Sequence, residues 1–263
     1  MKKHVDFTLH DGIAVITMDS PPVNAFTDAL HDDFRSTLAT LAGQSVRVAI
    51  ITGTGRYFQA GGDMNRFLTL KTLADARAFV ELAQGFMNAI AATPYPTVAA
   101  VNGYALGGGL EIALACDIRV ASSSAVVGLP EARYGILAGA GGTQRLARLI
   151  GPGRAKLMMY TGRQFTADQA FEFGLVEHVT PPEQLLAESL AIAREIAGNS
   201  PVAVRHIKRC VDEGLDLPLE QALALERDYW AGLIPHGDYL EGVHAWLEKR
   251  PPDYPDLSPP QGR

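Results

Sequence analysis

The sequence predicts an α/β fold with a helical C-terminal region, and three patterns point to it. Over the first ~180 residues, short β-branched and apolar runs alternate with helical stretches, the order that builds a sheet covered by helices. From Pro182 onward the pattern is helix upon helix, at about 183–197, 201–213, 218–231 and 237–249. Glycine clusters follow two of the strands, at Gly61-Gly62 and Gly107 to Gly109, the position at which sheets of this class bind ligands. The chain therefore divides into a core, residues 1–198, and a helical region with a proline-rich tail, residues 199–263.

Taken in order, residues 5–8 and 12–18 form a predicted hairpin joined at His10-Asp11-Gly12, an Asp-Gly turn. Pro21-Pro22 breaks the chain, and Thr27 caps a helix over residues 28–41. Residues 46–52, rich in β-branched side chains, are a buried strand, followed by the glycine-rich loop Gly53-Thr-Gly-Arg-Tyr-Phe-Gln-Ala-Gly-Gly-Asp63. Residues 74–92 are helical. The central strand, 97–101, turns at Asn102-Gly103 ahead of the three glycines and a buried helix that one carboxylate, Glu111, interrupts. Residues 118–121 and 125–128 are short strands, the second ended by Leu129-Pro-Glu131. Gly139-Ala-Gly-Gly-Thr-Gln-Arg-Leu146 opens another helix, 154–161 and 167–173 are short helices, and 174–179 returns as a strand. The tail from Pro251 to Arg263 holds five prolines and is expected to be extended or disordered.

Composition narrows the function. A hydrophobic fraction of 47 % and a charged fraction of 20 % in 263 residues suit one large globular domain with an ample core. The 23 basic against 29 acidic side chains give a net charge of −6. That counts against a nucleic-acid partner or an anionic membrane surface, both of which favour a basic face. It leaves room for a local basic pocket. Cys116 and Cys210 stand far apart without Cys/His ligand spacing, so neither a disulfide framework nor a structural metal is expected. No run approaches the ~18 apolar residues of a membrane helix, and the start, Met1-Lys-Lys-His-Val-Asp6, lacks a secretory apolar stretch. A cytoplasmic enzyme or binding protein is the expected class.

The residues that could carry chemistry gather round the glycines. A glycine run opening a helix leaves N–H groups without partners, and the helix dipole adds partial positive charge there. If the strands at 46–52 and 97–101 are neighbours, one N–H from each glycine loop can converge on one oxygen, the geometry of an oxyanion hole. Glu111, two residues after the run, lies in the first helical turn beside the same spot. The plainer reading is tight helix–strand packing with a favourable first-turn acid. Asp63 and Asp117 sit at element edges and read as caps. Glu131 follows Pro130 in an otherwise apolar stretch, where a charge is costly unless paired or functional. Two carboxyls sharing an apolar pocket perturb each other, so that one can act as base and the other as acid. Rival motifs fail. The stretch after Gly53 lacks the ending of a P-loop and the spacing of a dinucleotide fingerprint, and Ser122-Ser-Ser124 has no helix signal after it. His178, His206, His236 and His244 show no paired metal spacing.

Five segments resemble the crotonase superfamily, most nearly its enoyl-CoA hydratases. They are Phe58-Gln-Ala-Gly-Gly-Asp63, Val101-Asn-Gly-Tyr-Ala-Leu-Gly-Gly-Gly-Leu-Glu111, Ala115-Cys-Asp-Ile118, Leu129-Pro-Glu131 and the run from Gly139 to Leu146. The likeness continues through Gly174-Leu-Val176 to Glu241-Gly-Val-His-Ala-Trp-Leu-Glu-Lys-Arg250, about residues 5–250, in the family's order and spacing. It implies a spiral of ββα turns followed by helices that build trimers, commonly paired into hexamers. It also implies reversible addition of water across the 2,3 double bond of a trans-2-enoyl-CoA. On that resemblance the N–H groups of Gly62 and Gly108 hold the thioester oxygen, Glu111 is the base on water, and Glu131 protonates the α-carbon.

The CoA would run along Ala25, Ala60, Gly62, Asp63, Met64, Asn65 and Gly108, with no separate cofactor, because CoA is part of the substrate. The family often has a basic residue where this chain has Asn65, which leaves Arg66 and Lys249, the latter from a neighbouring subunit, as candidate phosphate contacts. Other departures are Ala138 in place of a usual Pro, Arg133-Tyr134 in place of a Lys-Leu type pair, and Gln59 where a small residue or Cys is frequent. All three flank the acyl pocket or its support. The resemblance also covers an enoyl-CoA double-bond isomerase and a hydratase specialised for branched or cyclic acyl groups; an alternative of a different class is a non-catalytic scaffold or RNA-binding relative, against which the acidic composition counts. The presence of both glutamates favours hydration. Helices after residue 200, with Tyr229, Trp230 and Trp246, offer more apolar surface than one core needs, as expected of an oligomer.

Overall fold

The computed structural model describes residues 3–256. Strands β1 (Val5–His10) and β2 (Ile13–Met18) form the expected hairpin, in register from Val5 opposite Met18 to His10 opposite Ile13. Asp11 and Gly12 turn it with left-handed φ of 50° and 75°, the pair of positive angles a two-residue hairpin requires. There follow α1 (Asp28–Ala42), β3 (Val48–Gly53), β4 (Tyr57–Gln59), α2 (Met64–Phe67), α3 (Leu73–Ala91), β5 (Thr97–Val101) and β6 (Tyr104–Leu106). Next come α4 (Gly108–Ala115), β7 (Ile118–Ser122), β8 (Val126–Gly128), a 3₁₀ turn (Glu131–Tyr134), α5 (Gly142–Ile150) and α6 (Pro152–Thr161). The chain continues through β9 (Phe165–Thr166), α7 (Ala167–Glu172), β10 (His178–Thr180), α8 (Leu185–Ala197), α9 (Pro201–Gly214), α10 (Leu219–Gly232) and α11 (Asp238–Glu248).

The strands form two sheets. The larger runs β1-β2-β3-β5-β7-β10, parallel apart from β1, and the smaller runs β4-β6-β8-β9, parallel apart from β9. Alternation along a strand sends successive side chains to opposite faces. Val48, Ile50, Val98, Ala100 and Val120 accordingly meet Leu185 and Ala193 of α8. Ala49, Ile51, Ala99, Val101 and Ala121 face the main core with Phe34, Phe86, Leu110 and Ile112. Both faces of the larger sheet are covered, as a parallel sheet requires.

The premise that the strands around 46–52 and 97–101 are neighbours holds, since β3 pairs with β5. One detail is corrected: the glycine loops do not follow those strands directly. Each long strand turns a corner into a short strand of the second sheet, β4 or β6, which the sequence pattern did not reveal. The corners are glycines for a reason. A Cβ on Gly53 would lie 2.4 Å from the Tyr57 carbonyl oxygen, and one on Gly103 would lie 2.1 Å from that of Arg56. Asn102 staples the corners, its Oδ1 accepting the Gly53 N–H at 3.0 Å and its Nδ2 donating to the Gly55 carbonyl at 3.0 Å.

Helix α2, four residues, and strand β9, two residues, are likewise too short for the sequence pattern to show. The strand expected over 174–179 is confined to His178–Thr180, because Gly174, at φ 74°, closes the turn after α7. Residues 251–256 have no regular structure, and the remainder of the proline-rich tail lies outside the described residues. The division at 198/199 falls in the turn between α8 and α9. Lys208 of α9 is buried and fastens that helix to the core through Asp117, whose Oδ2 accepts the Thr97 N–H at 2.6 Å. Asp117, read from the sequence as a cap, is a structural tie between the start of β5 and α9. Among the described residues no helix is long and apolar enough to cross a membrane. Among those same residues, no three His, Cys, Asp or Glu side chains are grouped to hold a metal.

Candidate active site

Three chemistry-bearing segments leave the carboxyl ends of β4, β6 and β8, which lie side by side and parallel in the smaller sheet. Gly62 follows β4, Gly108 follows β6 and Glu131 follows β8. Parallel strands ending together open onto one crevice, and backbone contacts close this one up. Gly107 N–H donates to the Gly128 carbonyl at 2.9 Å. A Cβ on Gly107 would stand 3.6 Å from Gly61 Cα, so the two glycine loops touch. The segment around Ala25 runs beside the first loop. Ala60 N–H donates to the Val23 carbonyl at 3.2 Å and Phe26 N–H to the Gly61 carbonyl at 2.9 Å. Among the described residues, neither the Gly62 nor the Gly108 N–H has a protein acceptor. Gly108 is also the first residue of α4, where helix geometry leaves that donor free.

Glu111 and Glu131 are brought to this place from different directions. Glu111, on the first turn of α4, is 4 % exposed, and its Oε1 accepts the Gly142 N–H at 2.8 Å. Gly142 is the first residue of α5. The second glycine cluster therefore places a helix N-terminus against the Glu111 carboxylate, a role the sequence reading did not assign. Burial pushes the Glu111 carboxyl up; the Gly142 and Ala140 backbone and the Arg145 charge offset part of that rise. A Cβ on Gly142 would stand 2.9 Å from Glu111 Oε1, so only glycine leaves room for the bond.

Glu131 opens the 3₁₀ turn after β8, and a Cβ on Gly107 would stand 2.8 Å from its Oε1. Its Oε2 is buried without a hydrogen-bond partner. Burial, countered in part by its own backbone N–H and reinforced by the negative charge of Glu111, pushes this carboxyl up to about 7. Glu131 thus feels the charge of Glu111 across the crevice, and its carboxyl is poised near neutrality. From Glu131 a cleft of about 340 Å³ extends between Leu129, Ile136, Leu137, Ala138, Ala147 and Met159, with Thr143, Lys156 and Tyr160 among its walls.

The remaining expected contacts are less alike. Asp63 caps α2, its Oδ1 accepting the Asn65 N–H at 2.9 Å and the Asn65 Nδ2 at 3.1 Å. Asn65 is thereby engaged, Met64 is half exposed, and the neighbouring Arg66 has no ion-pair partner among the described residues. Arg66, Asp63, Thr27 and His31 line a second, small cavity of about 50 Å³. Lys249 caps the far end of α11, and within one chain it is not among the residues lining either cavity.

Residues 8–257 match the family described as enoyl-CoA hydratase/isomerase. The chain is 41 % identical over 241 residues to crotonyl-CoA hydratase of Syntrophomonas wolfei, covering 90 % of this chain and 92 % of that one. It is 41 % identical over 250 residues to human enoyl-CoA hydratase domain-containing protein 2, mitochondrial, covering 92 % of this chain and 85 % of that one. Among solved structures, enoyl-CoA hydratase from Bacillus anthracis superposes with a TM-score of 0.91 at 38 % identity, over 95 % of this chain and 98 % of that one.

Proposed function

Because the chain belongs to the enoyl-CoA hydratase/isomerase family, we propose that its paired carboxyls and free amides hydrate a trans-2-enoyl-CoA to a 3-hydroxyacyl-CoA. The observation that carries this is Glu131, a carboxyl held near neutral pKa against the Gly107 loop and coupled to Glu111. The thioester oxygen is held by the Gly62 and Gly108 amides. These donors neither titrate nor need to reorganise as the carbonyl gains enolate charge. A water sits between the glutamates. Glu111 takes a proton from it as the oxygen bonds to the β-carbon, and neutral Glu131 gives a proton to the α-carbon. Both additions come from one side, the net result is syn addition of water, and dehydration runs with the acid and base roles exchanged.

The acyl chain occupies the apolar cleft beyond Glu131, and the CoA lies over Ala25, Ala60, Asp63 and Met64 with Arg66 and a neighbouring subunit's Lys249 near its phosphates. CoA arrives as part of the substrate, and no further cofactor is invoked. Unpaired Cys116 and Cys210 fit a reducing cytoplasm. A homotrimer, or two paired as a hexamer, is supported by the exposed Trp230, Trp246, Leu215 and Leu219 of the C-terminal helices. Such an exposed set calls for a covering surface, and light scattering should return at least a trimer; a monomer would refute the assembly.

Crotonyl-CoA should lose its enoyl-thioester absorbance on adding the protein, and Glu111→Gln or Glu131→Gln should lose nearly all of that rate. Full activity in either variant would remove the two-carboxylate mechanism. Migration of the double bond in a 3-enoyl-CoA, without hydration of the 2-enoyl isomer, would make the protein an isomerase. A panel of straight, branched and cyclic acyl groups would define the preference.

A further inference from the structure

Gln59 ends β4 completely buried, an expensive place for a carboxamide unless its polar ends are used. Both are used on one residue. The Gly61 N–H donates to Gln59 Oε1 at 2.8 Å, and Gln59 Nε2 donates to the Gly61 carbonyl at 3.1 Å. That same carbonyl accepts the Phe26 N–H at 2.9 Å. The Gly61 C=O and the Gly62 N–H belong to one planar trans peptide unit and point in opposite directions. Two donors fixed on the Gly61 oxygen therefore fix the direction of the Gly62 N–H, turning it away from Gln59 and Phe26. The need for such a fixture is local. The peptide lies between two glycines, Gly61 at φ 103°, and glycine backbone rotates with little steric resistance.

The same carboxamide also lies close beside the second donor. Cβ positions on Gly108 and Gly109 would lie 3.7 and 2.8 Å from Gln59 Oε1. Gln59 thus stands between the loop carrying one amide and the helix start carrying the other. An apolar side chain of the same length would fill this space without orienting the peptide.

We infer that Gln59 is a positioning residue that aims the Gly62 amide at the thioester oxygen, an inference resting on the reading of Gly62 and Gly108 as the oxyanion donors. The test uses the intact enzyme carrying Gln59→Met, with Gln59→Leu as the alternative should the first not fold. With crotonyl-CoA, kcat should fall by about 10- to 100-fold, a misaimed donor costing less than the roughly 100- to 1000-fold of one lost outright, while KM stays within about twofold. Isotope-edited infrared spectra of bound butyryl-CoA should show a downshifted thioester carbonyl in the unaltered enzyme and a much smaller downshift in the variant. No downshift in the unaltered enzyme would reject the oxyanion reading itself. An equal downshift in both enzymes would leave that reading intact and overturn the role of Gln59. Lost thermal stability with unchanged kcat, or failure of both variants to fold, would reduce Gln59 to scaffold and overturn the inference too.

Discussion

Replacing Glu131 with glutamine removes a titrating group that the fold holds at a disadvantage. In the folded chain its carboxyl is raised from 4.5 to about 7. Between those pH values the folded state keeps a proton that the unfolded state has released. Stability therefore declines as pH rises through this window and is level above and below it. At about 1.4 kcal/mol per pH unit the full decline is about 3.5 kcal/mol, and the residue's partial exposure to solvent trims it to roughly 2 kcal/mol. Glutamine cannot ionise, so Glu131→Gln should escape that decline. Urea titrations at equal subunit concentration should give near-equal stabilities at pH of about 4. At pH of about 8 the variant should be more stable by roughly 2 kcal/mol although its hydratase rate is almost gone. Under the proposed mechanism hydration draws on neutral Glu131, so the wild-type rate should itself weaken as pH rises above about 7. A stability difference that does not change with pH would refute the claim that the site holds this acid in a raised state.

Gly107→Ala tests the glycine loop. At φ 53°, with its new Cβ 2.8 Å from Glu131 Oε1, it should destabilise the chain by about 1–2 kcal/mol and depress kcat on crotonyl-CoA at least about 100-fold. An unimpaired kcat would show that the loop has slack. Lys208→Ala strips the buried cation from Asp117 and should destabilise by about 3 kcal/mol, the low end for a broken buried pair because Asp117 keeps some access to solvent, measured by urea unfolding, with kcat per folded subunit unchanged. A lower kcat with intact stability would reveal a path from this tie to the active site.

Much of the site is legible in the sequence because its residues are locally out of place. Glu111 is a carboxylate in a wholly apolar helix, Glu131 another after an apolar strand, and the triple glycine at 107–109 serves no strand or helix propensity. What escapes is the arrangement. Strands β4 and β6 are three residues long, too short for a period of two to be seen, and Tyr57-Phe-Gln reads as loop between glycines. Without them, nothing in the pattern shows that Gly62, Gly108 and Glu131 leave adjacent strands. The bond from Gly142 to Glu111 spans 31 residues, and only the helix-opening glycines hinted at an anion there. Gln59 looked like a change near the acyl pocket. Its partner, two residues on, is a backbone group, which composition cannot advertise.

The glycines and the carboxylates are two sides of one requirement. A side chain at position 109 would stand 2.0 Å from the Gln59 carbonyl oxygen, one at 107 would meet Glu131, and one at 142 would meet Glu111. Each glycine therefore marks where backbone approaches a carboxylate or a carbonyl more closely than a Cβ permits. That closeness excludes water. Exclusion of water raises both glutamates, and under the proposed mechanism the same low dielectric would strengthen the hold of the Gly62 and Gly108 amides on a developing oxyanion. On that proposal, acid–base poise and charge stabilisation share one cause and should fail together. A substitution that loosens the contact between the Gly61 and Gly107 loops should lower the Glu131 pKa and weaken carbonyl polarisation in the same variant. Measuring one shift without the other would break the link.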